Sequence, residues 1–195
     1  YPSVARKAPT ARVQAGAALK GAVELIADRN WEGLGSWFKT NRTLHRVHLK
    51  DVRGDTVLTL WLKMLSNKGL PAEFREHLLR AIEMLVDAWP AQANLTDFKG
   101  QTPLMLSADA GLESVVASLL KCPEIDVDAQ DYLGRTALHA AVTGNSKTCV
   151  RMLLDCEPDM LRVTHGEGQT VLHTAARMRG IEIAAMIKEE FPFLM

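Results

Sequence analysis

Gly100, Gly134 and Gly168 stand 34 positions apart, and the same interval separates Thr102, Thr136 and Thr170, and Leu104, Leu138 and Leu172. Three residue types held in one register over three copies restrict the chain to an architecture made of one small unit repeated. The copies read DFKGQTPLMLSADAGLESVVASLL from Asp97, DYLGRTALHAAVTGNSKTCVRMLL from Asp131 and HGEGQTVLHTAARMRGIEIAAMIK from His165. The Asp-x-x-Gly opening supplies a tight turn in which Gly is free to take a positive φ. Thr then offers its hydroxyl as an N-cap, and Pro103 occupies the first helical position, where a missing N–H costs nothing. A short helix with small residues at Ala140, Ala141, Ala175 and Ala176 is expected to end at Ala110-Gly111, Gly144-Asn145 and Arg179-Gly180. A second helix carries apolar residues at helical spacing, Val115, Val116, Leu119 and Leu120 in one copy and Val150, Leu153 and Leu154 in the next. One helix pair cannot bury that face alone, so the copies must stack.

The period and the motifs Thr102-Pro103-Leu104, Thr136-Ala137-Leu138-His139 and Thr170-Val171-Leu172-His173 resemble the ankyrin repeat over residues 97–195, and Ile125–Asp131 resembles that family's linker between units. The resemblance implies an all-α ankyrin-repeat solenoid of stacked helix-turn-helix units with short turn fingers, about five in all, the two N-terminal ones divergent. Asp51-Val52-Arg53-Gly54-Asp55-Thr56-Val57-Leu58 repeats the turn and cap 46 residues before Asp97, so about twelve residues are extra. They are assigned to Ser66–Ala72 and to a longer second helix over Glu73–Ala88. Thr59 stands, like Met105 in the next copy, where the last two copies have His, and Leu60, Trp61 and Leu62 stand where those two have small residues, bulk that argues against a regular fit. Ala22–Phe38 reads as helix, turn and helix, a capping unit. The expected layout is a basic segment, or the first part of a capping helix, over 1–20, then a repeat domain over 21–195 with units at about 21–50, 51–96, 97–130, 131–164 and 165–195.

Composition narrows the function classes. A chain with 47% hydrophobic and 24% charged residues is ordinary for a soluble folded protein. Charge interrupts every apolar run well short of the roughly 20 residues a bilayer span requires, and no signal-like apolar segment follows the basic residues of 1–20. No membrane is therefore expected as partner. Three cysteines, Cys122, Cys149 and Cys156, form no CxxC pair, which argues against a disulfide framework or zinc ribbon and fits a reducing, cytoplasmic compartment, or a host cytosol for a secreted effector. Residues 1–50 hold nine Lys/Arg against three Asp/Glu, or +6, and residues 51–195 hold fourteen against twenty, or −6. An acidic body is a poor footprint for nucleic acid, whose affinity comes from phosphate neutralisation. Opening on Tyr1 reads as a cut or processed piece, and the apolar end Phe191, Phe193, Leu194 and Met195 calls for a further unit or another surface to cover it.

Candidate chemical groups have simpler readings. His139 and His173 share one repeat position, where the resemblance implies a structural His that joins turn to helix. Neither has a recurring partner of the kind a general base needs. His45 and His48, three apart, lack a third and fourth metal ligand. In the acidic run Glu124, Asp126, Asp128 and Asp131 the sixth position of a calcium loop is Asp131 rather than Gly, and no closing Glu stands at 137. Gly33-Leu34-Gly35, Gly166-Glu167-Gly168 and Gly16-x4-Gly21 each lack the remaining residues of a nucleotide loop. Cys149 and Cys156, on or just after a second helix, read as inert thiols. The segment is thus expected to hold no catalytic residue, cofactor, metal or small-molecule substrate.

What remains is surface. The resemblance implies partner binding along the turn tips and the exposed side of the first helices, which form one concave face. Carried over by position, those residues are Arg53 and Asp55; Phe98, Lys99, Gln101 and Asp109; Tyr132, Leu133, Arg135 and Thr143; Glu167, Gln169, Arg177 and Met178. Phe98, Tyr132 and Leu133 stand out because apolar tips have no local reason for burial, and aromatics and Arg dominate interface energies. The expected function is a protein-binding module that docks a partner or recruits a substrate protein. The alternatives are a self-contained inhibitor of another protein, and a docking or regulatory part of a larger enzyme, such as a bacterial effector, with catalysis elsewhere.

Overall fold

The computed structural model describes residues 21–22, 24–25, 28, 30–40, 55–67, 69–156, 164–165, 168–178 and 181–190. Thr56, Thr102, Thr136 and Thr170 each hold extended backbone immediately before a helix, the N-cap geometry their spacing predicts. The helices they open are α2 (Val57–Leu65), α4 (Pro103–Asp109), α6 (Ala137–Thr143) and α8 (Val171–Arg177). Each is followed by a partner: α3 (Ala72–Ala88), α5 (Glu113–Leu120), α7 (Lys147–Cys156) and α9 (Ile181–Glu190). Helix α1 (Trp31–Thr40) precedes them, and a 3-10 turn, Pro90–Gln92, follows α3.

Two layers result. Helices α2, α4, α6 and α8 pack side by side in sequence order, and α1, α3, α5, α7 and α9 form the second row. Between the layers lie Leu58, Leu62, Leu104, Leu119, Leu138, Leu153 and Ile187, all without exposed surface. Small residues allow the inner layer its closeness: a Cβ on Gly144, at the end of α6, would overlap the Asp109 carbonyl at the end of α4. Gly144 has an ordinary negative φ, so close approach of two units, and not backbone conformation, fixes glycine there.

The fingers between units are built on aspartate. Asp97 Oδ1 accepts the backbone N–H groups of Lys99 at 2.8 Å and Gln101 at 2.9 Å, and Asp131 Oδ1 accepts those of Leu133 and Arg135, both at 2.9 Å. Gly100 and Gly134 close these turns at φ 77° and 78°. The fifth unit has His165 where the others have Asp, and its finger is closed by a two-residue antiparallel ladder pairing Thr164 with Thr170 and His165 with Gln169. The protein is an all-α solenoid that carries this one small ladder among the described residues.

The bulk at Leu60, Trp61 and Leu62 does not spoil the 51–96 region. Trp61 is 1% exposed and Leu62 fully buried, and α2 packs on α4 as later first helices pack on one another. The surplus residues lie between α2 and α3 and in the 17-residue length of α3. Arg75 ties this insertion down, its guanidinium donating to the Leu65 carbonyl at 2.8 Å and the Asn67 carbonyl at 3.1 Å, acceptors left open at the helix end. Trp37 of α1 meets Trp89 with ring centroids 5.8 Å apart, which joins the N-terminal unit to the stack. Farther along, Asn94 bridges consecutive linkers by donating to the Glu124 carbonyl at 2.6 Å and accepting from the Asp126 N–H at 3.0 Å. The expected break at Arg179-Gly180, the end Phe191–Met195 and the basic segment 1–20 lie outside the described residues. Within those residues no helix is long and apolar enough to cross a membrane.

Candidate partner-binding face

Among the described residues, the positions chosen from the sequence lie on finger tips and on the adjoining ends of the inner helices. Phe98 projects from the third finger 54% exposed, with the Lys63 ammonium 5.0 Å and the Lys99 ammonium 5.6 Å from its ring centroid. Both distances are within cation–π range. Lys63, on α2, also lies between two buried carboxylates, 2.5 Å from Asp55 Oδ1 and 2.9 Å from Asp97 Oδ2. Burial alone lowers the Lys63 pKa, but hydrogen bonds to Asp55 and Asp97 and their charges together outweigh it and hold the group above its ordinary 10.5.

The fourth finger presents Tyr132, 77% exposed, and Leu133, 63% exposed. Its backbone is fastened to the third finger by the Tyr132 N–H, which donates to the Lys99 carbonyl at 3.1 Å. Arg135 turns back on its own finger, with Nε at 2.9 Å and Nη2 at 2.7 Å from Asp131 Oδ2. Met178, 47% exposed, and Arg177, also exposed, lie at the end of α8, one unit further along the row.

Between the third and fourth units these positions enclose a groove of about 230 Å³. Lys99, Gln101, Asp109, Arg135 and Thr143 line it, so five of the positions chosen from the sequence share one cavity. Met105, Asp131, Thr136 and Ala140 complete the lining. Asp109, the last residue of α4, lines the groove with its residue surface open to water and its carboxyl partly desolvated. Burial pushes that carboxyl above the usual 3.8, and the opposing charges of Arg135 and Lys99 only partly offset the rise. Arg53 and Glu167 lie outside the described residues, as do His45 and His48, while Gln169 belongs to the fifth finger's ladder.

Lys63 is the residue that sequence reasoning missed. It stands 46 positions before Asp109, which is the offset between the 51–96 turn and its counterpart at Asp97. It therefore occupies the repeat position of Asp109, Thr143 and Arg177, and carrying the period one unit back would have found it.

His139 and His173 hold turns. His139 is fully buried, and its Nδ1 accepts the Thr136 N–H at 3.3 Å and lies 3.0 Å from the Thr136 hydroxyl. His173 repeats this with Thr170 at 3.3 and 2.8 Å. In α2 a threonine performs the same service: Thr59 Oγ1 accepts the Thr56 N–H at 2.8 Å, and the Thr59 N–H donates back to Thr56 Oγ1 at 3.2 Å. The cysteines are unpaired. Burial raises the Cys149 thiol, partly opposed by the Ser146 hydrogen bond, and burial with the Asp87 charge raises Cys122, so both are held in the unreactive protonated form. Among the described residues no three His, Cys, Asp or Glu side chains converge as a metal ion requires.

A family model for ankyrin repeats, built of three copies, matches residues 17–162 and again residues 119–191. Human Rabankyrin-5 is 38% identical over 69 residues, a stretch that is 35% of this chain and 6% of that protein. The chain thus corresponds to a small part of its relative's length. With period, caps, fingers and family model in agreement over most of its length, the chain belongs to the ankyrin-repeat family.

Proposed function

We propose that this chain captures a partner protein on the face formed by its finger tips and inner helices, with Phe98, Tyr132 and Leu133 as anchors and Lys99, Gln101, Asp109, Arg135, Thr143, Arg177 and Met178 around them; Arg53 is assigned to the same face by its place in the repeat. Ankyrin repeats generally serve protein–protein interaction. The observation that carries the finer reading is the exposure of Phe98, Tyr132, Leu133 and Met178, the exposed large hydrophobic side chains among the described residues: the first three on neighbouring fingers and Met178 just past the end of α8. Aromatic side chains held on a rigid scaffold lose little conformational freedom on binding and supply much contact area. The free thiols Cys122, Cys149 and Cys156 support a reducing compartment as the site of action.

The test uses wild-type chain and the Phe98→Ala, Tyr132→Ala double variant as parallel baits. Proteins captured by the wild type should be lost from the variant, each anchor contributing about 2 kcal/mol or more. The thermal transition should stay nearly unchanged, since both side chains are mostly in water. A partner captured equally by both baits would remove the tips from the binding face.

A further inference from the structure

Asp109 and Lys99 line the same groove, and among the described residues neither has an ion-pair partner. The Lys99 ammonium lies 5.6 Å from the Phe98 ring centroid, and its charge reaches the Asp109 carboxyl. The other two ionised groups of the lining, Arg135 and Asp131, are engaged with each other. The lining therefore sums to zero charge, with one carboxylate and one ammonium left open. A cationic group entering to meet Asp109 is opposed by Lys99, and an anionic group entering to meet Lys99 is opposed by Asp109. Either would also give up its hydration for an environment that returns little of it.

A carboxamide avoids both costs. Its N–H groups donate to the Asp109 carboxylate while its carbonyl accepts from the Lys99 ammonium, so one neutral group satisfies both charges by charge-assisted hydrogen bonds. The cavity, at about 230 Å³, lies below the roughly 300–1,000 Å³ typical of pockets for drug-sized ligands, which fits a side chain with its stretch of backbone better than a free organic molecule. Tyr132 and Leu133, exposed on the finger between the lining residues Asp131 and Arg135, offer apolar surface to a neighbour of the inserted residue.

We propose that the groove between the third and fourth units selects an asparagine or glutamine side chain on an extended segment of the partner, with an apolar residue next to it against Tyr132 and Leu133. This rests on the docking-face reading and adds the chemistry the partner must present.

A displayed library of random dodecapeptides, sorted on the full 195-residue chain, tests it. Enriched sequences should share an Asn or Gln beside an apolar residue. A synthetic peptide of that kind should weaken about tenfold or more when its carboxamide residue becomes Ala, Glu or Lys, or when the chain carries Asp109→Ala or Lys99→Ala. Thermal transitions no lower than that of the wild type in the two variants exclude misfolding. An acidic or basic residue enriched in that place, or no enrichment at all, overturns the proposal. Peptides weakened by Phe98→Ala with Tyr132→Ala but indifferent to Asp109→Ala and Lys99→Ala overturn the groove while leaving the docking face intact. Peptides indifferent to all four changes count against both.

Discussion

The ring of Tyr132 rests on the backbone of Gly100: a Cβ built on that glycine would stand 2.8 Å from the ring's Cδ1. The most exposed aromatic of the face is thus seated on the preceding finger and oriented by it, although most of its surface meets water.

Gly100→Ala should cost more stability than Gly168→Ala. Both glycines have positive φ, 77° and 82°, which penalises an alanine by about 1–2 kcal/mol. At Gly168 nothing lies within 4 Å of the new methyl, whereas at Gly100 the methyl must also displace Tyr132. Denaturant midpoints of the two variants decide it, and equal losses would show that the ring yields freely.

Lys63→Met should destabilise by about 2 kcal/mol, below the range for fully buried pairs because its ammonium is partly exposed. The cost arises from leaving the buried Asp55 and Asp97 carboxylates facing each other without the cation between them. In an Asp97→Asn background the same change should cost distinctly less, a coupling a double-mutant cycle measures. Because the folded pKa is raised, the Lys63 contribution is fully present below the ordinary 10.5 and is lost as pH rises through the folded value.

The capping pairs should rank by burial. Thr136→Ala and Thr59→Val each remove one hydroxyl from an N-terminal turn and should cost about 1 kcal/mol. His139→Ala deletes a wholly buried ring as well as its bond to Thr136 and should cost about 3 kcal/mol. Calorimetry of the three variants tests the order. A His139→Ala loss no larger than that of Thr136→Ala would mean the ring fills no space the fold needs.

Asp109→Asn should raise the melting temperature at neutral pH. A carboxyl whose folded pKa lies above its unfolded value penalises the folded state while ionised, and the penalty is relieved as pH falls through the folded value. The variant's advantage should therefore shrink on acidification and vanish below the ordinary carboxylate value of 3.8. An advantage that is constant with pH would trace to shape rather than charge. A residue that costs the isolated chain stability is what a binding position is expected to be.

The period, the caps and the finger turns were legible because they are local. Thr136 and His139 are three residues apart, Asp131 and Arg135 four, and the interactions that fix them are formed within one turn of chain. The resemblance then transferred candidate positions from unit to unit, which brought Phe98, Tyr132 and Leu133 forward as tips. Trp61 was harder to read, because whether a bulky residue fits depends on what packs opposite it, and α2 lies between α3 and α4.

The sequence by itself determined the unit: where each helix starts, how each finger closes, and that the copies must stack to bury their apolar faces. Only the tertiary structure decided that Lys63 binds Asp97, that Tyr132 rests on Gly100, and that Lys99 and Asp109 share a groove with Arg135. Each of these contacts crosses from one unit to the next or depends on how two units are set side by side. That spacing is fixed by side-chain packing between helices, such as the closeness Gly144 permits against Asp109, and no pattern within a single unit encodes it.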